Sequence, residues 1–173
     1  MSAALEYSDE ISFAWSHDYD RFLTEAWPMI QPHWKEVGSH RDVLKLNPNH
    51  DAYRRLTSLN MLHILTARVG ARLIGYLFII IMPHPRDMDA MLARDDIFYV
   101  MPQYRRLRMG PKMIEQVLSY VDGKADLIFL TEKLRRRAKG LAASDIGDGY
   151  LARYGFHPSE MIWSKRLPPR DRA

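Results

Sequence analysis

Asp96-Ile-Phe-Tyr-Val-Met-Pro-Gln-Tyr-Arg-Arg-Leu-Arg-Met-Gly-Pro-Lys-Met-Ile-Glu-Gln-Val-Leu-Ser-Tyr-Val121 falls into three parts that together decide the fold. Ile97 to Met101 is apolar and aromatic and reads as a buried strand closed by Pro102. Gln103 to Arg108 is a polar connection with three arginines. From Met109 the apolar positions Met113, Ile114, Val117, Leu118 and Val121 follow helical spacing. Gly110 and Pro111 stand where that helix opens, one allowing close backbone approach and the other suiting a first turn. The first N–H groups of a helix have no partner within it, and the dipole there favours negative charge. A strand running through a basic turn into a helix N-terminus is therefore a candidate anion cradle. The same composition also describes a solvated turn that binds nothing.

The order of residues resembles the cofactor motif of the GNAT superfamily, the acetyl-CoA-dependent N-acetyltransferases. Val100-Met101-Pro102-Gln103-Tyr104-Arg105 matches the family's strand end, Val-x-Pro-x-Tyr-Arg. Arg105-Arg106-Leu107-Arg108-Met109-Gly110 matches the following Arg/Gln-x-x-Gly-x-Gly/Ala, with Arg108 where the family usually has its first glycine. The resemblance implies acetyl-CoA as co-substrate, held by Val100, Arg105, Arg106, Leu107, Arg108, Met109 and Gly110. It also implies an α/β fold: a central mixed sheet flanked by helices, with a parallel strand pair splayed around the cofactor.

The chain has 173 residues, 47% hydrophobic and 27% charged, which suits a single domain over 1–173 with one core. It has no cysteine, which excludes disulfides, thiolate nucleophiles and cysteine-based metal sites. The most apolar run, Leu73 to Met82, is too short to span a bilayer, and the N-terminus lacks a signal-peptide pattern, so a cytoplasmic protein without membrane partners is expected. A net charge of +4 favours anionic partners without choosing among nucleotide, nucleic acid and acidic surface.

Taken in order, Glu6 to Trp15 reads as a first strand and His17 to Gly38 as a helix in two pieces broken by Pro28 and Pro32. In GNAT folds the first helices wall the acceptor pocket, so the resemblance makes His33 or Trp34 a substrate contact; the alternative is a surface histidine beside a core tryptophan. Asp51 is a candidate cap for a helix from Ala52 to Leu59. Met61 to Arg68 and Leu73 to Met82 flank Val69-Gly70-Ala71-Arg72 as a hairpin. Gly75 inside the second strand points to a bulge or a close backbone approach. Pro83 to Asp95 reads as a loop with one helical turn at Met88 to Leu92. Asp126 to Thr131 is a further buried strand, parallel to the Ile97 strand through a right-handed crossover. Lys133 to Lys139 carries five positive charges, as a solvated helix face or as a border for phosphates or nucleic acid. Gly147 to Phe156 resembles the family's closing motif, with Gly155 as a helix cap, and Glu160 to Leu167 reads as the last strand. His-Trp near the first helix and Pro-His after the third strand are similar to acetyltransferases of bacteriophage genomes.

The resemblance implies that an acceptor amine attacks the thioester of acetyl-CoA directly. An alkylamine with pKa ~10 must first lose a proton, which calls for a base. Asp96 is the first candidate: strand alternation puts it on the side of Phe98 and Val100. His84 is the reserve. The resemblance gives the oxyanion a backbone N–H near Val100, the leaving thiolate a tyrosine, and coenzyme A a further contact at Ser144. The expected acid position holds Leu151, so Tyr150 is the candidate beside it. No metal enters. The acceptor is a small-molecule or macromolecular primary amine. A binding module with a weakened cradle, and an enzyme for amines linked to nucleic acid, are the alternatives; a homodimer is compatible with all three.

Overall fold

β2 (Leu62–Val69) and β3 (Arg72–His84) form the expected hairpin, turning at Gly70 and Ala71, with Gly70 at φ 55. The computed structural model describes residues 10–38, 41, 44–131, 150–159, 162 and 165. They divide into two compact units, Met1–Leu130 and Thr131–Ala173. In the first, β1 (Ile11–Ser16), β2, β3, β4 (Asp87–Val100) and β5 (Leu127–Phe129) make one sheet in that spatial order. All pairs are antiparallel except β4 and β5, which are parallel and joined through helix α3 (Met109–Val121). Among the described residues of the second unit is a short 3-10 helix, Tyr150–Tyr154, closed by Gly155 at φ 80.

Each sheet face has its own core. Met109, Met113, Val117 and Val121 of α3 pack against Leu65, Ala67, Leu77, Ile79, Ala93 and Val100. On the other face, helix α1 (Tyr19–Val37) brings Tyr19, Phe22, Ala26 and Met29 onto Leu62, Ile64, Tyr76, Phe78 and Tyr99. The short helix α2 (His50–Ser58) adds Tyr53 and Leu56 to that side. The buried His63 is satisfied, its Nδ1 2.9 Å from the Tyr120 hydroxyl, and burial with the nearby charges of His17 and Lys124 lowers its pKa to about 4.

Three local expectations are corrected. α1 runs unbroken through Pro28 and Pro32. Each proline deprives one carbonyl, four residues earlier, of its donor, but Thr24, Pro28 and Pro32 are all exposed, so those carbonyls lie on the solvent side. α2 is capped by Asn49, whose Oδ1 accepts from the Ala52 N–H at 3.1 Å, while Asp51 pairs with Arg54. Residues 83–95 are strand, not a loop with a helical turn. β3 continues to His84, Pro85 and Arg86 turn the chain, and β4 pairs from Asp87 onward. Leu92 to Arg94 are paired on both flanks, by β3 and by β5, and this outweighs the helical preference of Met-Asp-Ala-Met-Leu.

Both features expected of Gly75 are present. The β2–β3 register skips Ile74, and a Cβ on Gly75 would lie 3.0 Å from the Tyr99 carbonyl oxygen. That neighbour is backbone and cannot swing aside. Gly75→Val is expected to destabilise the fold by about 1–3 kcal/mol, read as a lower urea midpoint at unchanged slope. An unchanged midpoint would show that β4 can retreat.

Candidate functional site

β4 is paired with β5 only over Leu92–Arg94, then runs on to Val100 while keeping β3 on its other side. From Asp95 onward its edge away from β3 has no strand partner among the described residues. The Met101 N–H donates to Ile74 O of β3 at 2.9 Å. Successive residues of an extended strand send their N–H and C=O groups to opposite edges. Val100 therefore presents both groups to the open edge. The splayed parallel pair expected from the sequence is this arrangement.

Beyond the strand, Pro102–Leu107 forms a 3-10 helix and Arg108 turns left-handed, φ 56 and ψ 34, before α3 begins at Met109. Arg108 thus adopts the conformation in which glycine is the default residue. Leu107 and Met109 pack their side chains with the α3-side core, so a role in ligand binding falls to their main chain. The Arg108 N–H is used by Arg105 O at 3.2 Å. The Met109 and Gly110 N–H groups lie in the first turn of α3, ahead of the Lys112 N–H that bonds Arg108 O at 3.1 Å, and so have no acceptor within that helix; Pro111 has no N–H. Arg106, Arg108 and Lys112 are exposed around this helix start, with no ion-pair partner among the described residues. Arg108→Gly is expected to raise stability by about 1 kcal/mol by removing a left-handed side-chain residue. An unchanged or lower melting temperature would show that the Arg108 side chain makes compensating contacts.

Arg105, though exposed, is engaged by the strand end and by α1. Its Nε donates to Val100 O at 2.9 Å, Nη2 donates to Glu36 Oε2 at 2.7 Å, and Nη1 donates to Glu36 Oε1. Its guanidinium carbon lies 5.7 Å from the Tyr99 ring centroid. Hydrogen bonding from Arg105 holds the Glu36 carboxyl below the ordinary range, outweighing partial desolvation. With its folded pKa lowered, this pair contributes stability above pH ~4.5 that is lost as pH falls through the folded value. Glu36→Gln is expected to remove that part of the acid dependence in melts between pH 5 and 3. An unaltered profile would exclude the pair as its source.

Asp96 needs a correction. The β3–β4 register shifts between Phe78 and Ile79, which pair with Ile97 and Asp95, leaving Asp96 as the extra residue of a bulge. Alternation inverts there. Phe98 and Val100 face α3, whereas the exposed Asp96 is on the side of Tyr99 and α2, its Oδ2 accepting from the Tyr53 hydroxyl at 2.7 Å. Burial and this carboxylate push the Tyr53 phenol up, so it remains a donor. Asp96 is four residues from Val100, about 13 Å of strand. His84 is also corrected. It pairs with Asp87 at the hairpin tip, whereas Val100 pairs with Gly75, so some nine residues, about 30 Å, separate them. Its Nδ1 accepts from the Arg86 N–H at 3.3 Å within the turn. His84 cannot act at the strand end.

Tyr150 lies in the second unit, half-buried and edge-on to Tyr154. Ser144, the 133–139 run and most of the expected last strand lie outside the described residues. His33 stacks on Tyr99 with centroids 4.5 Å apart, and its Nδ1 is 2.8 Å from the Tyr76 hydroxyl. Sequence reasoning missed Glu36 and Tyr53. Glu36 had a signal: Phe22, Ala26, Met29, His33 and Glu36 recur at steps of three and four, one stripe of α1. Among the described residues no three His, Cys, Asp or Glu side chains converge as a metal site, and no helix is long and apolar enough to cross a membrane.

No family profile matches the sequence, and no curated protein does. Solved structures do. An aminoglycoside acetyltransferase from an uncultured soil metagenomic sample superposes with TM-score 0.65 at 12% identity, over 92% of this chain and 99% of that one. A GCN5-related N-acetyltransferase from Ralstonia eutropha JMP134 gives TM-score 0.65 at 14% identity, over 91% and 99%. A predicted acetyltransferase from Clostridium acetobutylicum, solved with acetyl-CoA, gives 0.59 at 12%, over 91% and 97%. At such identities the likeness concerns architecture, and with its mixed sheet and splayed parallel pair this chain has the fold of the GNAT N-acetyltransferases.

Proposed function

We propose that the protein transfers an acetyl group from acetyl-CoA to a primary amine, by direct attack in a ternary complex. The observation that carries this reading is one juxtaposition: the open edge of β4 at Val100 leads within ten residues to the first-turn amides of α3 at Met109 and Gly110, ringed by Arg106, Arg108 and Lys112. The open edge, offering the N–H and C=O of Phe98 and the N–H of Val100, suits an extended amide chain, and a basic helix start suits a diphosphate. Coenzyme A joins an extended amide arm to a diphosphate. At Arg108 the backbone takes a left-handed conformation that glycine adopts readily, which is compatible with the glycine the family usually has there.

In the reaction the amine nitrogen bonds to the thioester carbonyl carbon and the carbon–sulfur bond breaks. The Val100 N–H stabilises the oxyanion formed between these events. The amine proton passes to Asp96, which the bulge turns toward the helix α1 and α2 side, with Tyr53 holding the carboxylate by its hydroxyl. The strand distance makes this transfer solvent-relayed. The departing thiolate takes up one proton, with Tyr150 as its proposed donor and Ser144 as a further cofactor contact. Similar architectures in acetyltransferases, one of them solved with acetyl-CoA, support the reading.

The test combines calorimetric titration with acetyl-CoA and thiol release over a panel of aminoglycosides, polyamines, peptide N-termini and aminoacylated RNA. Saturable binding with amine-dependent thiol release is expected. Absence of binding would sink the proposal, and binding without turnover on any amine would reduce it to a cofactor-binding module.

A further inference from the structure

We infer that Arg105 is a positioning residue, not a ligand of the cofactor phosphates: it caps the Val100 carbonyl so that the open end of β4 offers only a donor to the reacting carbonyl. The inference rests on the acetyltransferase reading above.

Val100 sends its N–H and its C=O to the same edge, a few ångströms apart along the strand. An oxyanion drawn to the N–H would meet the lone pairs of the neighbouring carbonyl, and that repulsion is least screened where water is excluded. Arg105 Nε occupies this carbonyl at 2.9 Å. Each terminal nitrogen gives one N–H to an oxygen of Glu36, and the cation lies against Tyr99, the residue before Val100. Nε and both terminal nitrogens are thus each engaged by a partner within the chain, in a pair that is partly exposed. The Arg105–Glu36 pair spans 69 residues of sequence and ties the last turn of α1 to the strand end. The wall that also carries His33 is fixed against the same edge. Among the described residues at the head of α3, Arg106, Arg108 and Lys112 have no ion-pair partner and can meet phosphates.

Lysine keeps the charge but cannot place one donor on Val100 and two on a carboxylate, so Arg105→Lys separates the two roles. The probe is acetyl-CoA labelled with carbon-13 at the thioester carbonyl, which needs no acceptor amine. Calorimetry gives affinity, and the carbon resonance of the bound thioester reports how strongly its oxygen is polarised. In the native protein a downfield shift on binding is expected. In Arg105→Lys most of that shift should disappear while affinity stays within about twofold, with turnover down about tenfold or more once an acceptor is known. Glu36→Gln, which loosens the clamp without touching Val100, should give a smaller loss of shift. An affinity loss of tenfold or more at unchanged shift would make Arg105 a phosphate ligand and overturn the inference. Unchanged shift and affinity, with only a lower melting temperature, would overturn it in favour of a purely structural pair. Failure of the native protein to bind acetyl-CoA would instead remove the acetyltransferase reading itself.

Discussion

Under the proposed function, Asp96→Asn is expected to lower turnover by about a hundredfold or more while acetyl-CoA affinity stays nearly unchanged, the range for loss of a general base. The substitution is close to isosteric. The Asn carbonyl can still accept from the Tyr53 hydroxyl, so the bulge and the packing of Tyr53 on Tyr19 should survive. What disappears is a group able to take a proton from an ammonium ion. Asp96 is exposed and, through the bulge, lies on the side of α1 and α2, where the proposed function puts the acceptor, so its loss should appear in kcat rather than in cofactor binding. Initial rates and calorimetry on the same preparation separate the two. Unchanged turnover would remove Asp96 from the mechanism and point to His33, on the same face and stacked on Tyr99.

Gly110→Trp should weaken acetyl-CoA binding by about a hundredfold, roughly 2.7 kcal/mol. Gly110 is the second residue of α3, and its N–H and that of Met109 have no acceptor within the helix. An indole there covers the approach to both groups. Tryptophan has better helix propensity than glycine, so α3 itself should form. Native and variant proteins are compared by calorimetry with acetyl-CoA and with CoA. Equal affinities would mean that the diphosphate lies elsewhere.

The strand, turn and helix of Asp96–Val121 were legible because the features that mark them are local. Pro102 closes the strand, apolar residues recur at helical steps from Met109, and the glycine–proline pair falls at the helix start. The β2–β3 hairpin was legible for the same reason. Residues 83–95 misled because their composition suits a loop or a helical turn, and pairing of Leu92–Arg94 on both flanks belongs to no local pattern. Pro28 and Pro32 misled because breaking a helix depends on where the freed carbonyls point, and here they point to solvent.

By itself the sequence determined the order of elements and the basic turn at the head of α3. Both follow from spacing along one chain segment. Only the tertiary structure decided which side Asp96 faces, that His84 sits about 30 Å from the strand end, and that Arg105 pairs with Glu36 across 69 residues. The physical reason is common to the three: a bulge, a hairpin register and a long-range ion pair are each defined by a partner strand or helix, and side-chain periodicity carries no record of that partner.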